Sequence, residues 1–283
     1  MHPQRALRFL HIPKTAGTSF NDCLFAQYPR AYYFRRLFVF SGDPRSDLRR
    51  LQAMPEKKRD ALLLYTGHGP LNCGDESVAR TPTITFLRDP VSRVVSLCQH
   101  IFEGKSPEIS TRRLSKPGAL DAWLDSGEPQ LSNMYARALL GDLDYRIPGG
   151  TDAQLAERSI DILENSLQAF GLTENFDLSL LVFRQALGWR CMPRYRRRNT
   201  RGRERLRFTD RQLERIAELN SIDQRIYTAA VAVFQQRVAH YLGDSLPSPE
   251  TLRHTLTRPS LRLAALEAAR VLARRGARPD SLN

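Results

Sequence analysis

The sequence predicts an α/β domain, a central parallel sheet flanked by helices. Three observations predict it. Through the first ninety residues, short apolar runs of strand length alternate with stretches of helical period. Two of those runs end in a compact turn that opens onto a helix start, at 11–19 and at 88–92. The middle of the chain is helical, with one further strand-length run at 169–172. Alternation of this kind gives parallel strands with helices on the sheet faces. Ligands of such folds bind beyond the carboxyl ends of the strands.

In chain order, 7–12 reads as a strand stopped by Pro13, and 18–27 as a helix capped by Thr18 or Ser19. Residues 32–40 are aromatic and β-branched enough for a strand, and 48–54 read as a short helix ended by Pro55. The run 61–65 reads as a buried strand broken at Gly67 and Gly69, and 83–87 as another, ending at Arg88-Asp89-Pro90. Pro90 suits the first turn of a helix running to about Phe102. Helical spacing recurs over 120–124, 131–140 and 152–167, then from Phe176 to Leu187, and again over 209–219 and 222–242. The domain is expected to span 1–245. Residues 246–283 would add a linker at Pro247 and Pro249 and an Arg-rich amphipathic helix over 261–273.

The 283 residues are 41% hydrophobic and 26% charged, which excludes disordered, collagenous and coiled-coil classes. No apolar run approaches the roughly 20 residues of a membrane-spanning helix, and the first residues lack the apolar core of a secretory signal. Cys23, Cys73, Cys98 and Cys191 form no CxxC pair. This argues against a local zinc site and for reduced thiols in a cytoplasmic compartment. Lys and Arg number 43 against 30 Asp and Glu, a net charge of +13. The excess sits in two stretches: nine Arg against Glu204 within 190–207, and seven Arg against Glu267 within 253–278. A localised basic surface suits a polyanionic partner, or is simply a solvated face.

Two turns carry chemistry. The first, HIPKTAGTSF at 11–20, has the makings of a phosphate loop. Small residues let backbone N–H groups point inward, the helix N-terminus adds its positive end, and Lys14 adds a cation. Thr15, Thr18 and Ser19 add hydroxyls around Ala16 and Gly17. The nucleoside-triphosphatase pattern GxxxxGK[ST] is absent, because the Lys precedes the Gly. Taken alone, the loop is either a phosphate grip or an ordinary strand-to-helix turn. The second turn, FLRDPVSRVVS at 86–96, sets Arg88 at a strand end, with Ser92 and Ser96 on one helix face and Arg93 beside it. An Arg with hydroxyls at a helix N-terminus suits a monophosphate; taken alone, Arg88 could equally pair with Asp89.

Together the two turns resemble the carbohydrate sulfotransferases of the heparan sulfate 2-O-sulfotransferase type. These use 3′-phosphoadenosine-5′-phosphosulfate (PAPS) on a phosphate-loop sulfotransferase fold. The resemblance covers about 6–240 and continues in YTGHG at 65–69 and FGLTENF at 170–176. It implies a soluble, bacterial-type member. It also implies that Lys14, Thr15, Ala16, Gly17, Thr18 and Ser19 hold the 5′-phosphosulfate, and that Arg88 and Ser96, assisted by Arg93, hold the 3′-phosphate. His68 would be the catalytic base, with Lys14 acting on the leaving oxygen, and no metal would be needed. The basic stretch 190–207 would close over PAPS, meet an acidic acceptor, or do both, with Asn199 and Thr200 as cofactor contacts. Asn133 and Arg137 are either acceptor contacts or plain surface residues.

The expected reaction is sulfuryl transfer to a hydroxyl, most naturally of a carbohydrate, including an acidic one. Two other classes compete. A small-molecule kinase would show Lys after Gly and an acidic Mg²⁺ site, and Asp89 is the one acid beside either turn. A non-catalytic polyanion or nucleic-acid binder would use the two Arg stretches. Only Tyr195 and Phe208 stand ready to stack beside the first of them, which disfavours nucleic acid.

Overall fold

The computed structural model describes residues 6–103, 118–196, 205–243 and 246–276. The chain opens with β1 (Leu7–Leu10), α1 (Gly17–Gln27) and the short α2 (Pro29–Tyr33). β2 (Leu37–Ser41), α3 (Pro44–Gln52) and α4 (Glu56–Asp60) follow. Next come β3 (Leu64–His68), α5 (Glu76–Ala79), β4 (Thr83–Leu87) and α6 (Pro90–Phe102). α7 (Ala119–Leu124), α8 (Met134–Leu140) and α9 (Asp152–Asp161) precede the last strand, β5 (Ala169–Leu172). α10 (Phe176–Ala186), α11 (Asp210–Leu219), α12 (Ser221–Leu242), α13 (Pro249–Thr257) and α14 (Leu261–Gly276) complete the order.

The five strands form one sheet in the order β2-β3-β1-β4-β5, every pair parallel, as the alternation predicts. From β1 the chain leads to β2 on one side; from β4 it leads to β5 on the other. β1 and β4 are therefore neighbours whose following loops diverge, and this is the switch point at which such sheets hold ligands.

Side chains alternate across the sheet. Leu7, Phe9, Ile84 and Phe86 face a layer that includes α1, α10, α13 and α14. Leu10, Leu87, Phe170 and Leu172 face α8, α9 and α12. Burial on both faces is why these strands read as unbroken apolar runs.

Several elements differ from the sequence expectation. Residues 29–33 are helical, with Pro29 in the first turn, so β2 begins only at Leu37. α3 starts early because the Asp43 carboxylate accepts the Ser46 N–H at 3.0 Å. The run expected over 131–140 is split: a 3-10 turn at Pro129–Leu131 ends before Asn133, whose φ is 44°. α9 gives way to a π-helical turn at Ile162–Ser166. Pro249 opens α13 where a linker was expected, and Leu252, Leu256, Leu263 and Leu266 of α13 and α14 are buried in the same core as α1. Among the described residues no helix is long and apolar enough to cross a membrane.

β3 passes through Gly67 where the sequence suggested a break. Its φ is 116°, and a Cβ there would lie 2.1 Å from the Phe40 carbonyl oxygen of β2. Gly67→Ala is therefore expected to lower the unfolding free energy by about 3 kcal/mol or more, combining positive φ with a backbone clash. A urea midpoint within error of the parent would contradict this account of β3.

Candidate active site

The first loop is shaped by its own backbone. His11 N–H extends the β1–β3 ladder to the Gly67 carbonyl at 3.1 Å. The chain then folds back, and the Thr15 hydroxyl donates to the Ile12 carbonyl at 2.8 Å. Lys14 and Ala16 take positive φ, 69° and 65°. Ala16 is the N-cap of α1, and no side chain caps that N-terminus. The Ala16 carbonyl accepts the Ser19 and Phe20 N–H groups, both at 3.1 Å. An uncapped helix start of this kind suits an anion, which the helix dipole favours. Gly17 is fixed by sterics: a Cβ there would lie 1.9 Å from His11 Nε2.

The second turn meets the first. Arg88 follows β4, and its Nη1 lies 3.4 Å from the Lys14 carbonyl oxygen. α6 begins differently from α1. The Asp89 carboxylate accepts the Ser92 N–H at 2.8 Å, and Glu174 accepts the Asp89 N–H at 3.0 Å. With this helix start capped by a carboxylate, an anion here depends on side chains, of which Arg88 and the half-buried Ser96 are those the sequence named.

His68 ends β3, beside β1. Its Nδ1 lies 2.7 Å from the His11 carbonyl oxygen. A carbonyl only accepts, so Nδ1 carries the hydrogen, and a role as base falls to Nε2. The His11 and His68 rings stand 4.4 Å apart. Burial, followed by the positive influence of His68 and Lys14, pushes the His11 pKa down to about 3. His11 is thus a neutral ring wedged between the loop and the base candidate. Arg8, 1% exposed in β1, donates to the carbonyls of Pro70 and Leu71 at 2.5 and 2.6 Å and ties down the loop after His68.

The structure brings together Lys14, Ala16, Gly17, Thr18, Ser19, Arg88 and His68. It gives other named residues different work. Thr15 is fully buried, so its hydroxyl closes the loop instead of facing a ligand. Arg93 is fully buried, with Nη2 donating to the Gln130 carbonyl at 2.9 Å, and lies inside the fold, not at its mouth. Asn133 is a helix cap: its Oδ1 accepts the N–H groups of Ile222 and Asp223 at 3.1 and 3.3 Å. Arg137 donates to the Ser132 and Tyr145 carbonyls at 2.8 and 2.9 Å. Asn199 and Thr200 lie outside the described residues.

Sequence reasoning passed over Tyr135, Asp223 and Arg8. Arg8 had a signal, a charge inside an apolar strand, which must find partners when buried. Among the described residues no cluster of His, Cys, Asp or Glu suits a metal.

No protein-family model matches the chain. Human heparan-sulfate 6-O-sulfotransferase 1 is 26% identical over 277 residues, covering 81% of this chain and 65% of the human protein. Mouse heparan-sulfate 6-O-sulfotransferase 3 is 25% identical over 182 residues, 56% of this chain and 38% of its own. The chain is thus similar in sequence to heparan-sulfate sulfotransferases. The chain spans less than two thirds of either protein's length. A protein-tyrosine sulfotransferase of Arabidopsis thaliana is 26% identical over 152 residues, 54% of this chain and 27% of its own. Mouse sulfotransferase SULT7A1, solved in complex with PAP, aligns with 94% of this chain and 90% of its own at 14% identity and a TM-score of 0.37. The motifs resemble the 2-O type, whereas these heparan-sulfate relatives are 6-O-sulfotransferases.

The neutral His11 has a consequence in acid. Its folded-state pKa lies below the ordinary 6.5, so the unfolded chain binds more protons between those values. Its contribution to stability is complete above pH 6.5 and declines as pH falls toward 3, by up to about 1.4 kcal/mol per pH unit. His11→Asn is expected to flatten the acid limb of a stability–pH curve. An unchanged slope between pH 6.5 and 4 would count against the buried neutral ring.

Proposed function

We propose that the chain transfers a sulfuryl group from PAPS to a hydroxyl, with a carbohydrate as the acceptor. The observation that carries this reading is the meeting of the two turns: Arg88 reaches the Lys14 carbonyl at 3.4 Å across the β1–β4 switch point, with His68 on the adjoining strand end. PAPS, when bound, supplies the sulfuryl group and a nucleotide leaving group. The donor set suits it: an uncapped helix start, a Lys amine and two hydroxyls for the 5′ end, and Arg88 with Ser96 for the 3′-phosphate. The Lys14 amine offsets negative charge on the departing oxygen. His68 takes the acceptor proton at Nε2, while its Nδ1–H stays on the His11 carbonyl and holds the ring in place.

The rival readings lose support. Asp89, the acid a kinase would need for Mg²⁺, is engaged as the cap of α6. Arg196 pairs with Glu267, Arg194 donates to the Pro259 carbonyl and Arg262 to the Ala26 carbonyl, so these cations bind the chain itself. A cytoplasmic location is part of the proposal, supported by four free thiols, three of them buried.

The test has two parts. His68→Ala should lower kcat by about 10²- to 10⁴-fold with adenosine 3′,5′-bisphosphate still bound at parental affinity. Full activity would remove His68 as the base. Arg88→Ala should weaken bisphosphate binding about ten- to a hundredfold in calorimetric titration. Unchanged affinity would sink the 3′-phosphate assignment.

A further inference from the structure

A series of contacts outside the proposed donor set ends on Arg88. β4 pairs with β5 as far as Leu87, opposite Leu172. The Leu87 carbonyl accepts the Thr173 N–H at 2.8 Å and the Thr173 hydroxyl at 3.0 Å. One residue on, the strand pairing has ended, and a phenol takes over. The Tyr135 hydroxyl accepts the Arg88 N–H at 3.0 Å and donates to the Arg88 carbonyl. One oxygen thereby satisfies both backbone groups of the residue whose side chain would read the 3′-phosphate. Tyr135 is fully buried, and burial raises its pKa, so the hydroxyl keeps the proton that it donates.

Tyr135 is itself held from behind. Asp223 accepts the Tyr135 N–H at 2.8 Å and the Ala136 N–H at 3.0 Å. Asn133 accepts the Ile222 and Asp223 N–H groups in return. α8 and α12 therefore cap each other's N-termini, and the phenol projects from that joint to the end of β4. The lever is short. Arg88 Nη1 stands 3.4 Å from the Lys14 carbonyl, near the outer edge of hydrogen-bond range. A shift of a few tenths of an ångström in its backbone decides what the guanidinium reaches.

We propose that Tyr135 is a positioning residue that sets the reach of Arg88, and with it the preference for an adenosine nucleotide bearing a 3′-phosphate. The proposal rests on the reading of Arg88 given above. Tyr135→Phe removes one oxygen and keeps the ring. The full-length parent, Tyr135→Phe and Arg88→Ala are titrated calorimetrically with adenosine 3′,5′-bisphosphate and with 5′-AMP. Tyr135→Phe is expected to lose about five- to tenfold in bisphosphate affinity and none for 5′-AMP, moving its preference ratio toward that of Arg88→Ala. An unchanged ratio, or an equal loss for both nucleotides, overturns the role of Tyr135 while the reading of Arg88 stands. A parent without preference for the bisphosphate overturns both, and the parental ratio alone reveals that case. Should Tyr135→Phe fail to fold, amide exchange in the parent decides. The Arg88 N–H should be protected without ligand and slow further with the bisphosphate but not with 5′-AMP. Exchange at the rate of an open loop overturns the proposal.

Discussion

The parallel pairing of β1 with β4 governs where the chemistry sits. Arg8 lies beside Thr83 and Leu10 beside Thr85, and the buried Thr85 hydroxyl donates to the Leu10 carbonyl at 2.7 Å. β1 ends opposite Thr85 and β4 runs two residues further, to Leu87, so their loops open side by side on the same edge of the sheet. Because the chain leaves β1 and β4 toward opposite sides of the sheet, neither connection crosses the mouth between them. β3, on the other flank of β1, delivers His68 to the same edge. A register slip of one residue would exchange Phe9 and Leu10 between the two cores, so burial on both faces enforces the alignment.

Much of this was legible in the residues. β4 and α6 have the bounds read from Asp89 and Pro90, because a cap and a first-turn proline act locally. Both loops were readable as strand ends carrying cations and hydroxyls, whereas His68 stood out only through the family resemblance, with its strand expected to end at 65. What escaped was set by distant partners. Thr15 and Asn133 have the composition of ligand contacts, but each is consumed by backbone groups that folding brings to it. Tyr135 looked like one aromatic in a helix, and its hydroxyl gains meaning only when α8 is laid against the end of β4. The strand expected over 32–40 failed at its start because Pro29 nucleates a turn of helix that the aromatic residues then follow.

The basic stretches read differently once folded. Arg196 and Glu267 are each about half exposed (51% and 50%), and ion pairs in that setting contribute about 0–1 kcal/mol. Leu263 and Leu266 of α14 are 6% and 3% exposed against the core that contains α1, and each such side chain contributes about 1.5–3 kcal/mol. The leucines dock the terminal helices, and the arginines set their orientation. The sequence showed the charge but not the internal acceptors that engage part of it.

His11 and Gly17 form a lock between strand and helix. The ring occupies the volume that any side chain at 17 would need, and it also lies against the base candidate. Neither position has freedom of its own. A larger residue at 17 enters only when the ring at 11 is replaced by something smaller, and that exchange opens a gap beside His68. Anyone redesigning the donor loop must therefore treat these two sites and the adjoining imidazole as one mutational unit, to be varied jointly.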